Sequence, residues 1–178
     1  MSKLLNVSSS PHVRCGVSTK NLMYDVAIAM LPATIWGVMQ FGIYSLIVVV
    51  ATVLSCVLSE YLFETLMHKP VTISDGSALV TGMILGLNMP PAIPLWMPIL
   101  GGVFAIIVVK QLYGGLGQNW MNPALAARCF MLISFAQAMT KFTDPVTDAV
   151  ASATPLAAIK AGDTYDLAAM FIGKIPGT

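Results

Sequence analysis

Between Gly76 and Val109 the chain carries no Asp, Glu, Lys or Arg. As one helix that run would reach about 50 Å at 1.5 Å per residue. It is too long for a single membrane crossing, which takes about 20 apolar residues. The stretch "NMPPAIP", residues 88 to 94, breaks it, because three prolines end helices there. The run therefore reads as two segments. The first, "SALVTGMILGLNM", is short for a full span and interrupted by glycine. That pattern predicts a discontinuous helix, tolerated only where its loose end meets protein or a cavity. The second runs from Leu95 to Val109 and is longer with its flanks.

The rest of the chain follows the same solvent. Only 10% of the residues are charged and 57% are hydrophobic, against about 25% charged in soluble domains. An all-α integral membrane protein is expected, a helical bundle with broken half-helices and about five spans. Leu22 to about Phe41 is one candidate, with Asp25 near its start and Pro32 inside. "IYSLIVVVATVLSCVLSEYL" makes a second from about Ile43 to Leu62, joined to the first by a tight turn at Gly42. The fifth is "ALAARCFMLISFAQAM", with Arg128 in its first turns.

Orientation follows from Lys and Arg, which favour the cytoplasmic side of short loops. Lys3, Arg14 and Lys20 precede the first span, Lys69 separates the second and third, and Lys110 follows the fourth. The alternate turns, at Gly42 and "MPPAIP", hold none. The expected organisation is a cytoplasmic segment at 1–21, a membrane domain at 22–140 and an extracytoplasmic loop at 141–178. The closing "KIPGT" completes no domain, so a missing C-terminal half is expected.

Several function classes fall away. A net charge of +1 gives no basic face for nucleic acid. Cys15, Cys56 and Cys129 are far apart and odd in number, which supports neither a disulfide framework nor a metal centre. They read as isolated thiols in or near apolar spans. His12 and His68 have no metal spacing. The first residues lack the apolar core of a signal peptide. No hydrolase motif and no paired carboxylates on one helix face are found.

The polar motifs that remain have two readings each. "GGLGQNWMNPALAAR", residues 114 to 128, places Asn119 and Asn122 before a proline at a helix start. It is either a flexible loop capped by Asn122 or a backbone-rich loop that holds an anion or a ring. Arg128 lies in an apolar segment and needs a partner: a ligand phosphate, a carboxylate or a helix end. Asp25 is either a first-turn acid favoured by the helix dipole or part of an ion path. Ser74 or Asp75 caps the short helix or meets a ligand there. "DAVASATPLAA", residues 148 to 158, is small and polar at two points. Pro155 bars an α conformation at Thr154 and presents its hydroxyl from an extended loop.

"DAVASATPLA" is similar to the flavinylation motif of the NqrB/RnfD family of membrane subunits. In that motif an Asp precedes Ser/Gly-Ala-Thr, and the Thr carries FMN through its phosphate. Asp148, Ser152, Ala153 and Thr154 match, whereas Ala151 stands where the pattern has Ser or Thr. "GGLGQNWMNPALAAR", "SSSPH" and "DGSALVTGMILGLNMPP" resemble the same family, and Pro155-Leu156 after the Thr points to its RnfD branch. The resemblance implies a urea-transporter-like fold of two inverted repeats, of which this chain holds the first. It implies a subunit of the Rnf complex, which moves electrons between ferredoxin and NAD⁺ coupled to Na⁺ or H⁺ transport. It implies covalent FMN on Thr154, with Ser152, Asp148, Asn119, Asn122 and Arg128 around flavin, and leaves room for a second, non-covalent riboflavin. The implied setting is the bacterial plasma membrane and its lipid, with RnfA, RnfB, RnfC, RnfE and RnfG as partners. The alternatives are an NqrB-type subunit of a quinone reductase, or a transporter of the same fold without redox chemistry.

Overall fold

The computed structural model of the chain describes residue 16, residues 18–143 and residues 150–151. Helix α1, Thr19–Phe41, starts at Ser18, whose side chain accepts the Asn21 amide. Helix α2, Ile43–Leu66, follows after one residue, Gly42, at φ 80°. Such a positive φ suits glycine, and it folds the pair into the expected hairpin. These two helices are long and apolar enough to cross a membrane. Their outward faces carry bare Ile28, Trp36, Met39, Leu54 and Leu58. An apolar surface of that extent suits lipid and is rare on monomers in water.

A single 3-10 turn, Ile73–Asp75, leads to helix α3, Ser77–Leu87. At about 16 Å it covers half a bilayer core, as the glycine-interrupted pattern predicts. Its seat is α2. Gly82 and Gly86 face Val53 and Val49, and a Cβ added at either would sit 2.6 or 2.9 Å from the opposing Cα. Small residues four apart let two helix backbones approach this closely in a membrane. Gly82→Ala should therefore destabilise the protein by about 1–3 kcal/mol, although Ala is the better helix former. Thermal unfolding in detergent measures this. Gly37→Ala is the control, because nothing lies within 4 Å of its added Cβ.

Helix α4, Trp96–Phe104, continues without a break as a π-helix over Ala105–Gln111. Gly102 packs on Ser55 and Cys56, and the Ser55 hydroxyl donates to the Ile99 carbonyl at 2.7 Å. The fifth apolar segment divides at Phe135 into α5, Pro123–Ser134, and α6, Ala136–Met139. One core joins α2 to α6 through Val48, Leu85, Met89, Ile93, Ala127 and Met131. Phe104 stacks on Phe130 at 4.2 Å. Two-residue strands β1, Phe142–Thr143, and β2, Val150–Ala151, pair antiparallel, with Phe142 opposite Ala151. Of the thiols, Cys56 is buried, Cys129 is exposed, and both are free. Cys15 lies outside the described residues.

The sequence places Lys110 in a loop after the fourth span. The structure buries it inside the π-helix, 2% exposed. It cannot serve as a cytoplasmic marker, so Lys3, Arg14, Lys20 and Lys69 carry the orientation argument alone.

Candidate functional site

The loop from Leu112 to Asn122 is shaped by its glycines. Gly114, Gly115 and Gly117 have φ of 116°, 102° and 85°, values that side-chain-bearing residues rarely adopt. Gly115 donates back to the Lys110 carbonyl at 3.1 Å, which closes the π-helix. The Asn119 amide donates to the Met121 carbonyl at 2.7 Å. Asn122 Oδ1 accepts the Ala124 and Leu125 amides, with Pro123 at the first helical position. Asn122 is thus the N-cap of α5, and Asn119 braces the turn before it.

This loop also walls a cavity of about 450 Å³ lined by Phe104, Val108, Tyr113, Trp120, Asn122 and Cys129. Tyr113 and Trp120 are tilted against one another, their centroids 6.3 Å apart. The Asn122 side-chain NH₂ makes no hydrogen bond to the described residues. Three aromatic rings and one amide suit a planar heteroaromatic ligand.

Arg128 points away from that cavity's loop. Its guanidinium donates to the Asn88 carbonyl at 3.0 Å and to the Asn88 side-chain oxygen. Asn88 is the C-cap of α3. Among the partners open to Arg128 in the sequence, the structure places a helix end, where a cation meets unsatisfied carbonyls and the negative end of the dipole. Arg128→Ala should lower stability by about 1–2 kcal/mol, read as a lower melting temperature of the purified protein. Asn119 and Asn122 therefore share one site and Arg128 belongs to another. Asp25 is exposed on α1. The N-cap of α3 is Gly76, and not Ser74 or Asp75 as the sequence suggests; the Asp75 carboxylate, one residue outside the helix, accepts the Ser77 amide at 2.8 Å. Asp148, Ser152 and Thr154 lie outside the described residues. Val150 and Ala151, just before Ser152, are held against Thr143 and Phe142 by the strand pair.

A second polar group was missed in the sequence. Lys110 donates to Glu60 at 2.5 Å and to the Ser77 hydroxyl at 2.6 Å. Gln111 donates to Glu60 at 2.9 Å and to Glu64 at 3.2 Å. Thr72 donates to Glu64 through its amide at 3.0 Å and through its hydroxyl at 2.5 Å. Glu60 and Lys110 form the only ion pair among the described residues, and both are buried. Two signals could have shown it. Glu60 and Glu64 are paired carboxylates one turn apart on one face of α2, where the sequence reading found no such pair, and Lys110 ends the charge-free run. A charge at such depth calls for a partner.

Residues 6–178 match the NQR2, RnfD, RnfE family. The chain belongs to that family. Among its relatives, the D subunit of the Na⁺-translocating ferredoxin:NAD⁺ oxidoreductase complex of Acetobacterium woodii is 49% identical over 98% of this chain and 52% of its own length. Its counterpart in the proton-translocating ferredoxin:NAD⁺ oxidoreductase complex of Clostridium ljungdahlii is 42% identical, over 88% of this chain and 48% of its own. The counterpart in the ion-translocating oxidoreductase complex of Shewanella denitrificans is 40% identical, over 87% and 45%. The chain spans about half the length of these relatives. The family membership fits the two apolar spans and the all-helical membrane-type core.

Proposed function

We propose that this chain is part of a membrane subunit of an ion-translocating ferredoxin:NAD⁺ oxidoreductase complex, and that it relays electrons through FMN bound covalently at Thr154. The observation that carries this is the Asp148–Ser152–Ala153–Thr154 motif in a chain that matches the family from residue 6 to 178. FMN supplies reversible electron uptake when bound. The chain's own part is to hold it. A phosphoester on the Thr154 hydroxyl retains the flavin without a deep pocket. The β1–β2 pair supports this by anchoring Ala151, three residues earlier, to Phe142 just past α6.

The proposed setting is the bacterial plasma membrane, with the N-terminus cytoplasmic and the Thr154 loop outside, opposite a flavoprotein subunit. The proposed full architecture is a pair of inverted urea-transporter-like repeats, this chain being the first, with RnfA, RnfB, RnfC, RnfE and RnfG around it. The short α3, its C-cap Asn88 held by Arg128, supports a broken-helix repeat. The transported ion is Na⁺ or H⁺. The aromatic cavity beside Asn122 fits the ring of a second, non-covalent flavin such as riboflavin. Phe104, Tyr113 and Trp120 would stack on it or edge it, and the Asn122 amide would fix its orientation.

Mass spectrometry of peptide 142–160 from the native host tests the covalent flavin. The expected mass is that of the peptide plus FMN less one water, and the denatured, precipitated protein should remain yellow. An unmodified peptide and a colourless pellet would move the non-redox transporter reading ahead.

A further inference from the structure

Glu60 is fully buried, and its Oε2 has no hydrogen-bond partner among the described residues. Such an oxygen is expensive to keep charged inside a protein. The charged and amide groups nearest to it form one linked set. The π-helix contributes Lys110 and Gln111 to Glu60 Oε1. The α3 start contributes Ser77, whose hydroxyl accepts from Lys110 at 2.6 Å and donates to Asp75 at 2.6 Å. On α2 itself Glu64 lies one turn on and is bridged to Glu60 by Gln111, and Cys56 lies one turn before. Asp75 and Glu64 in turn line an open cleft of about 320 Å³, together with Lys69, Thr72, Gln111 and Gly115.

We infer that Glu60 is a proton-binding site, loaded from that cleft through Asp75, Ser77 and Lys110. The transfer balances. A hydronium in the cleft protonates the Asp75 carboxylate and leaves as water. The Lys110 ammonium passes a proton across its 2.5 Å bond to Glu60, leaving a neutral amine and a neutral acid. The Ser77 hydroxyl, turned toward Lys110, reprotonates the amine and takes its own replacement from Asp75. Asp75 and Lys110 return to their starting charges, and Glu60 has gained one proton. That gain removes the charge that holds Lys110 to α2, so loading loosens the tie between α2 and the π-helix. The proton arrives on Oε1, the oxygen that Lys110 faces, and Gln111, itself held by Glu64, keeps that oxygen in place.

This inference needs no flavin, so it and the proposed redox role fail separately. The test is infrared difference spectroscopy of the full-length protein in lipid nanodiscs after a downward pH jump in sodium-free buffer. A carbonyl band of a protonated carboxyl, shifted by D₂O, is expected, lost in Glu60→Gln and kept in Glu64→Gln. Ser77→Ala leaves Glu60 in place but removes the relay hydroxyl. It should reach the same final band more slowly, and it carries the test if Glu60→Gln does not fold. A band that survives Glu60→Gln, a wild-type rate in Ser77→Ala, or a band abolished by added sodium at fixed pH would each overturn the proposal, the last by making the site one for sodium.

Discussion

Thr154→Val is expected to abolish covalent flavin and, with it, ferredoxin-dependent NAD⁺ reduction by the assembled complex. The substitution keeps the branched shape and removes the one oxygen that can form a phosphoester. No neighbouring residue can replace it in register: Ala153 and Pro155 carry no hydroxyl, and Ser152 lies two residues away. The protein should still insert and fold, because the packed core from Val48 to Met139 closes before this segment begins. The measurement pairs the mass of peptide 142–160 with NADH formation by membranes holding the variant complex. Turnover retained at the wild-type level would remove Thr154 from the electron path. Thr154→Ser keeps a hydroxyl and probes the tolerance of the modifying enzyme.

The second large effect is on stability. Lys110→Ala should cost about 3–5 kcal/mol, the range for removing one partner of a buried ion pair. Glu60, 0% exposed, would be left with only the Gln111 amide on Oε1. Ser77 would lose its ammonium donor at the same time, so α2, α3 and the π-helix all lose a shared contact. Replacing the pair together, Glu60→Leu with Lys110→Met, should recover much of the loss, since apolar substitutes of similar volume are often neutral or stabilising. A denaturant titration in mixed micelles of the wild type, Glu60→Leu, Lys110→Met and the double variant gives the coupling energy directly. A Lys110→Ala loss within about 0.5 kcal/mol, ordinary for a surface change, would show the pair to be exposed in the folded protein.

The parts of the fold that the sequence reveals are those set by local chemistry. Gly42 between two apolar runs marks the hairpin, and the prolines of "NMPPAIP" mark the break between α3 and α4. The glycines of "SALVTGMILGL" foretell a short helix pressed on a neighbour. Asn122 and Pro123 foretell the start of α5. The π winding of Ala105–Gln111 is invisible in this way, because an apolar run reads alike at 3.6 residues per turn or more. That winding is why Lys110 was placed in a loop. Its aliphatic neighbours end at Val109, and only the continued helix shows that the ammonium turns inward to Glu60. The candidate site divides along the same line. Asn119, Asn122 and Arg128 stand out as polar residues in apolar surroundings, yet which carbonyl or helix end each one meets is a matter of tertiary packing. The motif around Thr154 is legible only as a pattern of residues shared with a family.

The close seat of α3 on α2 has a consequence for how the protein is made. A helix of about 16 Å cannot hold itself across a bilayer core of about 30 Å. It becomes stable only once Val49 and Val53 offer a groove for Gly86 and Gly82. Chain order supplies that groove in time, because α2 leaves the ribosome before α3 and enters the membrane as one arm of the Gly42 hairpin. Synthesis from a rearranged gene that began at α3 would deliver the short helix to a membrane with nothing to receive it, and the nascent chain would be exposed to degradation until α2 arrived.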